Sequence, residues 1–158
     1  MRHLDFSQNP GLQKAFYFGL SEIVRDGESI LSRLDLEQNK MGDTNVVDLA
    51  EALLESGRIE FLNLSKNKIT NKGAKAVAKL VHYSESLRLL LLHYNRITGP
   101  GAVEIANAVA KSQALQIFDI SYNAITSSGS SSNACSPERN SVAKDIKEAP
   151  DKNVKFSS

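Results

Sequence analysis

One short motif constrains the fold of this chain more than any other feature of its sequence. Five hexapeptides, LDFSQN, LDLEQN, LNLSKN, LLLHYN and FDISYN, end at Asn9, Asn39, Asn67, Asn95 and Asn123, at intervals of 30, 28, 28 and 28 residues. An apolar residue stands three positions before each hexapeptide, and another follows each asparagine by two positions, except after Asn9, where Leu12 takes the place of Gly11. The consensus L-x-x-L-x-L-x-x-N-x-I at near-constant spacing predicts stacked structural repeats.

Each repeat contains a strand pattern followed by a helix pattern. The L-x-L segment alternates as a half-buried strand does. Apolar residues at spacings of three and four then predict helices with one buried stripe, in three sets: Val46, Leu49, Ala50, Leu53; Ala74, Val77, Ala78, Val81; Ala102, Ile105, Ala106, Val109. Pro100 suits a first helical turn, and Gly73 and Gly101 are expected in the turn that leads into each helix. One such unit cannot cover its own apolar edge, so the units must stack into a solenoid.

The repeat consensus resembles that of leucine-rich repeat proteins, specifically the ribonuclease-inhibitor-like class with 28-residue repeats. The resemblance covers residues 1 to about 129. It implies an α/β fold: a right-handed solenoid with a parallel sheet on the concave face and helices on the convex face. The repeated asparagine suits a turn, because its amide can both donate hydrogen bonds to the backbone of neighbouring repeats and accept them.

The strand phase separates inward from outward side chains. Leu90 and Leu92 are predicted to face the helices, and Leu89 and Leu91 to face the open, concave side. Stacked strands align the outward positions in three rows: His3, Arg33, Phe61, Leu89, Ile117; Asp5, Asp35, Asn63, Leu91, Asp119; and Ser7, Glu37, Ser65, His93, Ser121. The first two repeats therefore carry an acidic ridge of Asp5, Asp35 and Glu37.

Repeats three to five carry an apolar patch with a polar rim, which is the usual anatomy of a protein contact. The predicted protein-binding residues are Phe61, Leu89, Leu91, His93, Tyr94, Ile117, Asp119 and Tyr122. An alternative is structural: neighbouring strands would cover Phe61 and Ile117, and the tyrosines would only cover turns. Leu91 is the strongest candidate, since its row otherwise holds Asp or Asn.

No catalytic, cofactor-binding or metal site is predicted, and no small-molecule substrate is expected. Asp119 could accept a hydrogen bond from His93, but a catalytic pair would also need a nucleophile and a closed pocket. Several lysines lie close together in sequence: Lys66, Lys68, Lys72, Lys75 and Lys79. They could meet an acidic protein or a nucleic acid backbone, but a net charge of +1 favours a solvated helix face, so nucleic-acid binding is not expected.

Targeting and redox features predict a cytoplasmic location. No apolar run of about 18 residues is present, so no membrane insertion is expected. The N-terminus lacks the apolar stretch of a secretory signal. The single cysteine, Cys135, cannot form an internal disulfide, which favours a reducing compartment.

Both ends of the repeat array depart from the pattern. Met1 already occupies the first consensus position, so the strand around residues 2–7 is expected to be an exposed edge, covered by another chain, a second copy or a preceding segment. Residues 130–158 are rich in Ser, Lys, Asp and Asn, which predicts a tail that is disordered or ordered by a partner. The expected organisation is a five-repeat arc over 1–129 followed by this tail.

These features favour a non-enzymatic protein-interaction module or scaffold within a larger assembly, with cytoskeletal, axonemal and ciliary complexes as candidate settings. The alternative is a GTPase-activating protein resembling the Ran activator. That function would need an arginine or asparagine in a loop at the partner's nucleotide. Arg96 is the only arginine directly after a repeat asparagine, and it matches no activator motif. A third alternative is a truncated array with little function of its own, which would aggregate through the edge at residues 2–7.

Overall fold

Strands and helices alternate along the chain and build one parallel sheet with helices on one side. The computed structural model describes residues 2–26 and 29–125, and the backbone of 153–155. The strands are β1 (His3–Asp5), β2 (Arg33–Asp35), β3 (Phe61–Asn63), β4 (Leu89–Leu91), β5 (Ile117–Asp119) and β6 (Asn153–Lys155). The helices are α1 (Lys14–Arg25), α2 (Asp43–Ser56), α3 (Asn71–Tyr83) and α4 (Gly99–Lys111). The strand order is β1-β2-β3-β4-β5-β6, with every neighbouring pair parallel.

The sheet register follows the repeat phase. Leu34 pairs with Leu62, Leu62 with Leu90, and Leu90 with Phe118, so equivalent positions of successive repeats lie side by side. Leu90 and Leu92 are fully buried, which confirms their predicted inward orientation. The parallel sheet and the phase of its strands were therefore predicted correctly.

The helices pack in sequence order, α1 against α2, α2 against α3, and α3 against α4. Every residue of the three predicted helical stripes is buried. These stripes and the inward strand residues form one continuous hydrophobic core. Burial of apolar surface between repeats therefore holds the array together, as expected for units that contact only their neighbours.

The repeated asparagines connect adjacent repeats by hydrogen bonds, as predicted. The Asn67 side-chain oxygen accepts the backbone N–H groups of Asn39 at 3.0 Å and Met41 at 2.9 Å. Its amide nitrogen donates to the Leu36 carbonyl at 2.9 Å. Asn95 likewise accepts the N–H of Ile69 at 3.1 Å. Each side chain thus pairs backbone groups that the turn leaves without a ladder partner.

Gly73 and Gly101 lie inside the first turns of α3 and α4, not in the turns before them, which corrects the sequence expectation. A Cβ atom at position 101 would lie 2.5 Å from the side-chain oxygen of Asn71 and 3.0 Å from its Cα. That same oxygen accepts the N–H of Thr98 at 2.9 Å. Glycine is needed here because the helix starts of adjacent repeats approach closely.

The two ends of the sheet differ. Among the described residues, β1 pairs only with β2. Leu4 in this strand and Phe6 just after it occupy inward positions but are only half-buried. A groove of about 500 Å³ opens at this end; its apolar lining includes Leu4, Phe6, Phe16, Leu20, Ile23 and Ile30. At the other end Phe118 and Ile120 are each 1% exposed. That another chain or segment covers the β1 edge stays a prediction.

The predicted tail lies outside the described residues apart from β6, a strand that its composition did not indicate. Cys135 and the rest of 126–152 also lie outside them. Within the described part of the chain, no helix combines the length and apolar character needed to span a membrane.

Candidate functional site

The predicted apolar patch is assembled on three adjacent strands, on the sheet face opposite the helices. The register places Phe61 beside Leu89 and Leu89 beside Ile117, with Leu91 between Asn63 and Asp119. Phe61, Leu89 and Leu91 are half-buried, and Ile117 is exposed. Neighbouring strands therefore cover these four side chains only in part.

Leu91 departs from a local hydrogen-bonding pattern that the other four repeats share. The side-chain oxygens of Asp5, Asp35, Asn63 and Asp119 each accept the backbone N–H two residues further on, at 2.9–3.1 Å. Leucine cannot provide that acceptor to the N–H of His93. Repeat four thus replaces a turn-stabilising polar side chain by an apolar one that faces the concave side.

Tyr94 and Tyr122 stack at the ends of β4 and β5. Each precedes a repeat asparagine and has a positive φ, 54° and 55°, like Gln8, Gln38 and Lys66 at the same position. The ring centroids lie 4.3 Å apart and the planes differ by 4°. Both side chains are about half exposed, so the stack presents a rigid aromatic surface next to the patch.

His93 bonds to a serine and not to the aspartate considered in the sequence analysis. Its Nδ1 lies 2.9 Å from Ser65 Oγ and 3.6 Å from Asp119 Oδ2, which is too long for a hydrogen bond. In a serine–histidine–aspartate relay, serine and aspartate contact opposite ring nitrogens, whereas both partners here lie on Nδ1. Ser65 is also fully buried. These three residues therefore lack the geometry of a relay, and the part-exposed His93 and Asp119 contribute to the polar rim of the patch.

Two carboxylates of the acidic ridge, Asp35 and Glu37, belong to a paired network. Asn63 donates from its amide to Asp35 Oδ2 at 3.1 Å and to Glu37 Oε2 at 3.2 Å, and Lys66 Nζ lies 2.7 Å from Glu37 Oε1. The hydrogen bond from Lys66 lowers the pKa of Glu37. The same hydrogen bond raises the pKa of Lys66. Sequence analysis missed that Asn63 donates hydrogen bonds to these carboxylates and that Lys66 neutralises Glu37, although Lys66 occupies the position that holds Tyr94 and Tyr122 in later repeats.

Arg33 bounds the patch on its N-terminal side and was absent from the predicted site. Its guanidinium carbon lies 3.6 Å from the centroid of the Phe61 ring, in a cation–π contact. The signal was available in the sequence, because the two residues occupy the same row in successive repeats. Arg33 and Phe61 therefore behave as one unit at the boundary between the polar and apolar halves.

The convex surface has a separate groove of about 500 Å³ between α2, α3 and α4, partly lined by Lys72, Lys75 and Lys79. All three lysines are exposed, as predicted for a solvated helix face. Among the described residues, no group of three or more His, Cys, Asp or Glu side chains could hold a metal ion. Arg96 is exposed, and its role in the activator alternative stays a prediction.

Two comparisons with known proteins agree on the architecture. A family model described as Leucine Rich repeat matches residues 59–78, the segment from the start of repeat three into α3. Among 48 matching chains of known structure is one titled leiomodin-1 actin-binding site 2. It aligns with a TM-score of 0.75 and 16% identity, over 92% of this chain and 82% of that chain. No curated protein matches this chain. At this low identity the structural likeness shows the fold alone.

Proposed function

We propose that this chain, a leucine-rich repeat protein, is a non-enzymatic module that binds another protein through the concave face of repeats three to five. The observation that carries the proposal is the presence of an apolar residue, Leu91, where the other repeats have a polar one. At this position the other repeats have a side-chain oxygen that accepts a backbone hydrogen bond and stabilises the turn. Repeat four lacks this hydrogen bond and has an apolar side chain instead.

The surroundings of Leu91 fit a protein contact. Four apolar side chains on three strands form the centre, and the stacked tyrosines add aromatic area with a low entropy cost on binding. The rim is polar: Arg33 on one side, and His93 with Asp119 on the other. An apolar centre with a polar, hydrogen-bonding rim is the arrangement found in protein–protein interfaces.

The proposed setting is a cytoskeletal assembly in the cytoplasm, with axonemal and ciliary complexes as specific forms of it. Support comes from the leiomodin-1 domain of similar fold, which is named as an actin-binding site. Actin is therefore the first partner to test. The 28-residue spacing supports assignment to the ribonuclease-inhibitor-like class.

Cosedimentation with actin filaments, followed by affinity capture from native extract, tests the proposal. We expect the wild-type chain to pellet with filaments or to retain one cytoskeletal protein at stoichiometric levels, and Leu91→Asp to do neither. If wild type and Leu91→Asp retain the same proteins in equal amounts, the concave patch is not the binding surface. Stimulation of GTP hydrolysis by the intact chain, lost in Arg96→Ala, would support the activator alternative instead.

A further inference from the structure

The C-terminal end of the sheet is covered, whereas the N-terminal end is open. Phe118, the central residue of β5, is 1% exposed, but Leu4, the equivalent residue of β1, is only half-buried. Within the described part of the chain, β6 is the element that lies beyond β5. It pairs in parallel and in register, with Phe118 beside Val154.

The backbone of Phe118, at the centre of β5, is directed toward β6. The Ile117 N–H donates to the Arg88 carbonyl at 3.0 Å, and the Leu92 N–H donates to the Asp119 carbonyl at 2.7 Å. Residues 117 and 119 therefore bond to β4. Because successive residues of a parallel strand bond to opposite neighbours, the N–H and C=O of Phe118 face β6.

The sequence around β6 has the pattern of a repeat strand. Val154, Lys155 and Phe156 alternate apolar, polar, apolar, as the L-x-L segments do, although Phe156 itself lies outside the described residues. The register places Val154 in line with Leu90 and Phe118, which are both buried in the core. Lys155 then stands on the outermost strand, where lysine discourages pairing with further chains.

We propose that the β5 edge is a strand-acceptor site for an extended segment that carries an apolar residue in register with Phe118. The chain fills the site with its own residues Asn153–Lys155. Recognition uses main-chain hydrogen bonds together with one alternating apolar position, the mode by which extended peptides add to sheet edges. Because the segment belongs to the same chain, a free peptide of the same sequence competes poorly with it.

Amide hydrogen exchange at Phe118 tests the occupancy of the site. We expect Val154→Asp to speed exchange of the Phe118 amide about tenfold or more, because a charged residue in register with the buried Phe118 disfavours pairing of β6 with β5. Lys155→Gln, at the position in register with the part-exposed Asp119, is the matched control and should leave exchange unchanged. Equal protection of Phe118 in wild type and Val154→Asp would overturn the proposal.

Peptide binding tests the acceptor directly. A fluorescein-labelled peptide with the sequence of residues 151–158 should bind a chain ending at Pro150, and should bind the full chain at least about tenfold more weakly. If the shortened chain does not fold, the full-length Val154→Asp chain serves as the open acceptor. Equal affinity for the open acceptor and the wild-type chain, or no binding to a folded open acceptor, would contradict the proposal.

Discussion

The rings of Tyr94 and Tyr122 stack at 4.3 Å although the two residues are 28 positions apart in the chain. Their backbones share the same left-handed conformation, so both rings leave the sheet in the same direction. Adjacent strands lie about 4.8 Å apart, which sets a spacing suited to stacked rings. The aromatic surface is therefore a direct consequence of placing tyrosine at one repeat position in two successive repeats.

Removing half of this stack should weaken binding without unfolding the chain. We expect Tyr122→Ala to reduce partner affinity about tenfold or more, because exposed aromatic anchors contribute strongly to interfaces. Tyr83→Ala is the matched control, since Tyr83 is a more exposed tyrosine on α3, at the convex surface. Calorimetric titration against the captured partner measures the change. Equal affinity losses in both variants would argue against a specific role for the stack.

The asparagine ladder should contribute to stability. Asn67→Ala leaves three backbone groups of repeat two, the N–H groups of Asn39 and Met41 and the carbonyl of Leu36, without this partner, and we expect the unfolding free energy to fall by about 1–3 kcal/mol. Urea denaturation followed by circular dichroism measures it. Asn107→Ala, an exposed asparagine on α4, should change stability little. An unfolding free energy of Asn67→Ala equal to that of wild type would mean that water replaces these hydrogen bonds without loss of stability.

Two glycines should respond in opposite directions to the same substitution. Gly101→Ala places a Cβ 2.5 Å from the Asn71 side chain, so we expect destabilisation of about 1–3 kcal/mol from overpacking. Gly19→Ala meets no atom within 4 Å in the interior of α1, and should stabilise the chain by up to about 1 kcal/mol. Thermal unfolding of the two variants distinguishes them. If both lose stability equally, close approach is not the reason for glycine at 101.

Acid should weaken the network around Glu37. Its folded-state pKa lies below the ordinary value of 4.5, chiefly because Lys66 donates a hydrogen bond to the carboxylate. The unfolded chain therefore binds more protons, and the stabilisation is present above pH 4.5 and lost as pH falls through the folded pKa. Urea denaturation between about pH 6 and pH 3 should show a shallower pH dependence for Glu37→Gln than for wild type.

The exposed Glu104 provides the control for this titration, as Glu104→Gln removes a carboxylate of α4 that is not part of the Lys66–Glu37 ion pair. Its pH dependence should match that of wild type. The same flattening in both variants would show that overall charge, and not the Lys66 contact, determines the acid sensitivity.

Strand register and side-chain direction could be predicted from the asparagine spacing, because a parallel sheet of equal repeats leaves only its phase to be determined. Leu90 is buried and Leu91 is not, as that phase requires. The candidate patch followed from the same phase. The individual contacts in the patch could not be predicted in this way, because the Ser65–His93 hydrogen bond depends on side-chain torsions that repeat spacing does not specify.

Two features were missed, for different reasons: the polar contacts that join the helix starts of adjacent repeats, and the strand β6. Asp43 accepts both the N–H and the hydroxyl hydrogen bond of Thr70, at 2.8 and 2.6 Å. The equivalent pair 28 residues later also makes two bonds, but Asn71 accepts the N–H of Thr98 and donates from its amide to the Thr98 hydroxyl. The recurrence was visible, but no apolar pattern draws attention to it. Val154 follows Phe118 by 36 residues instead of 28, so a search at constant spacing passes over it.

The most direct measurement is partner affinity and unfolding free energy for Leu91→Asp beside Val103→Asp, an exposed apolar residue of α4. Aspartate already occupies the Leu91 row in three other repeats, where it accepts the N–H two residues on, so the backbone accommodates it. We predict that Leu91→Asp abolishes binding with little change in stability and that Val103→Asp preserves both. Retained binding by Leu91→Asp, or its loss only together with unfolding, would contradict a concave-face interaction surface.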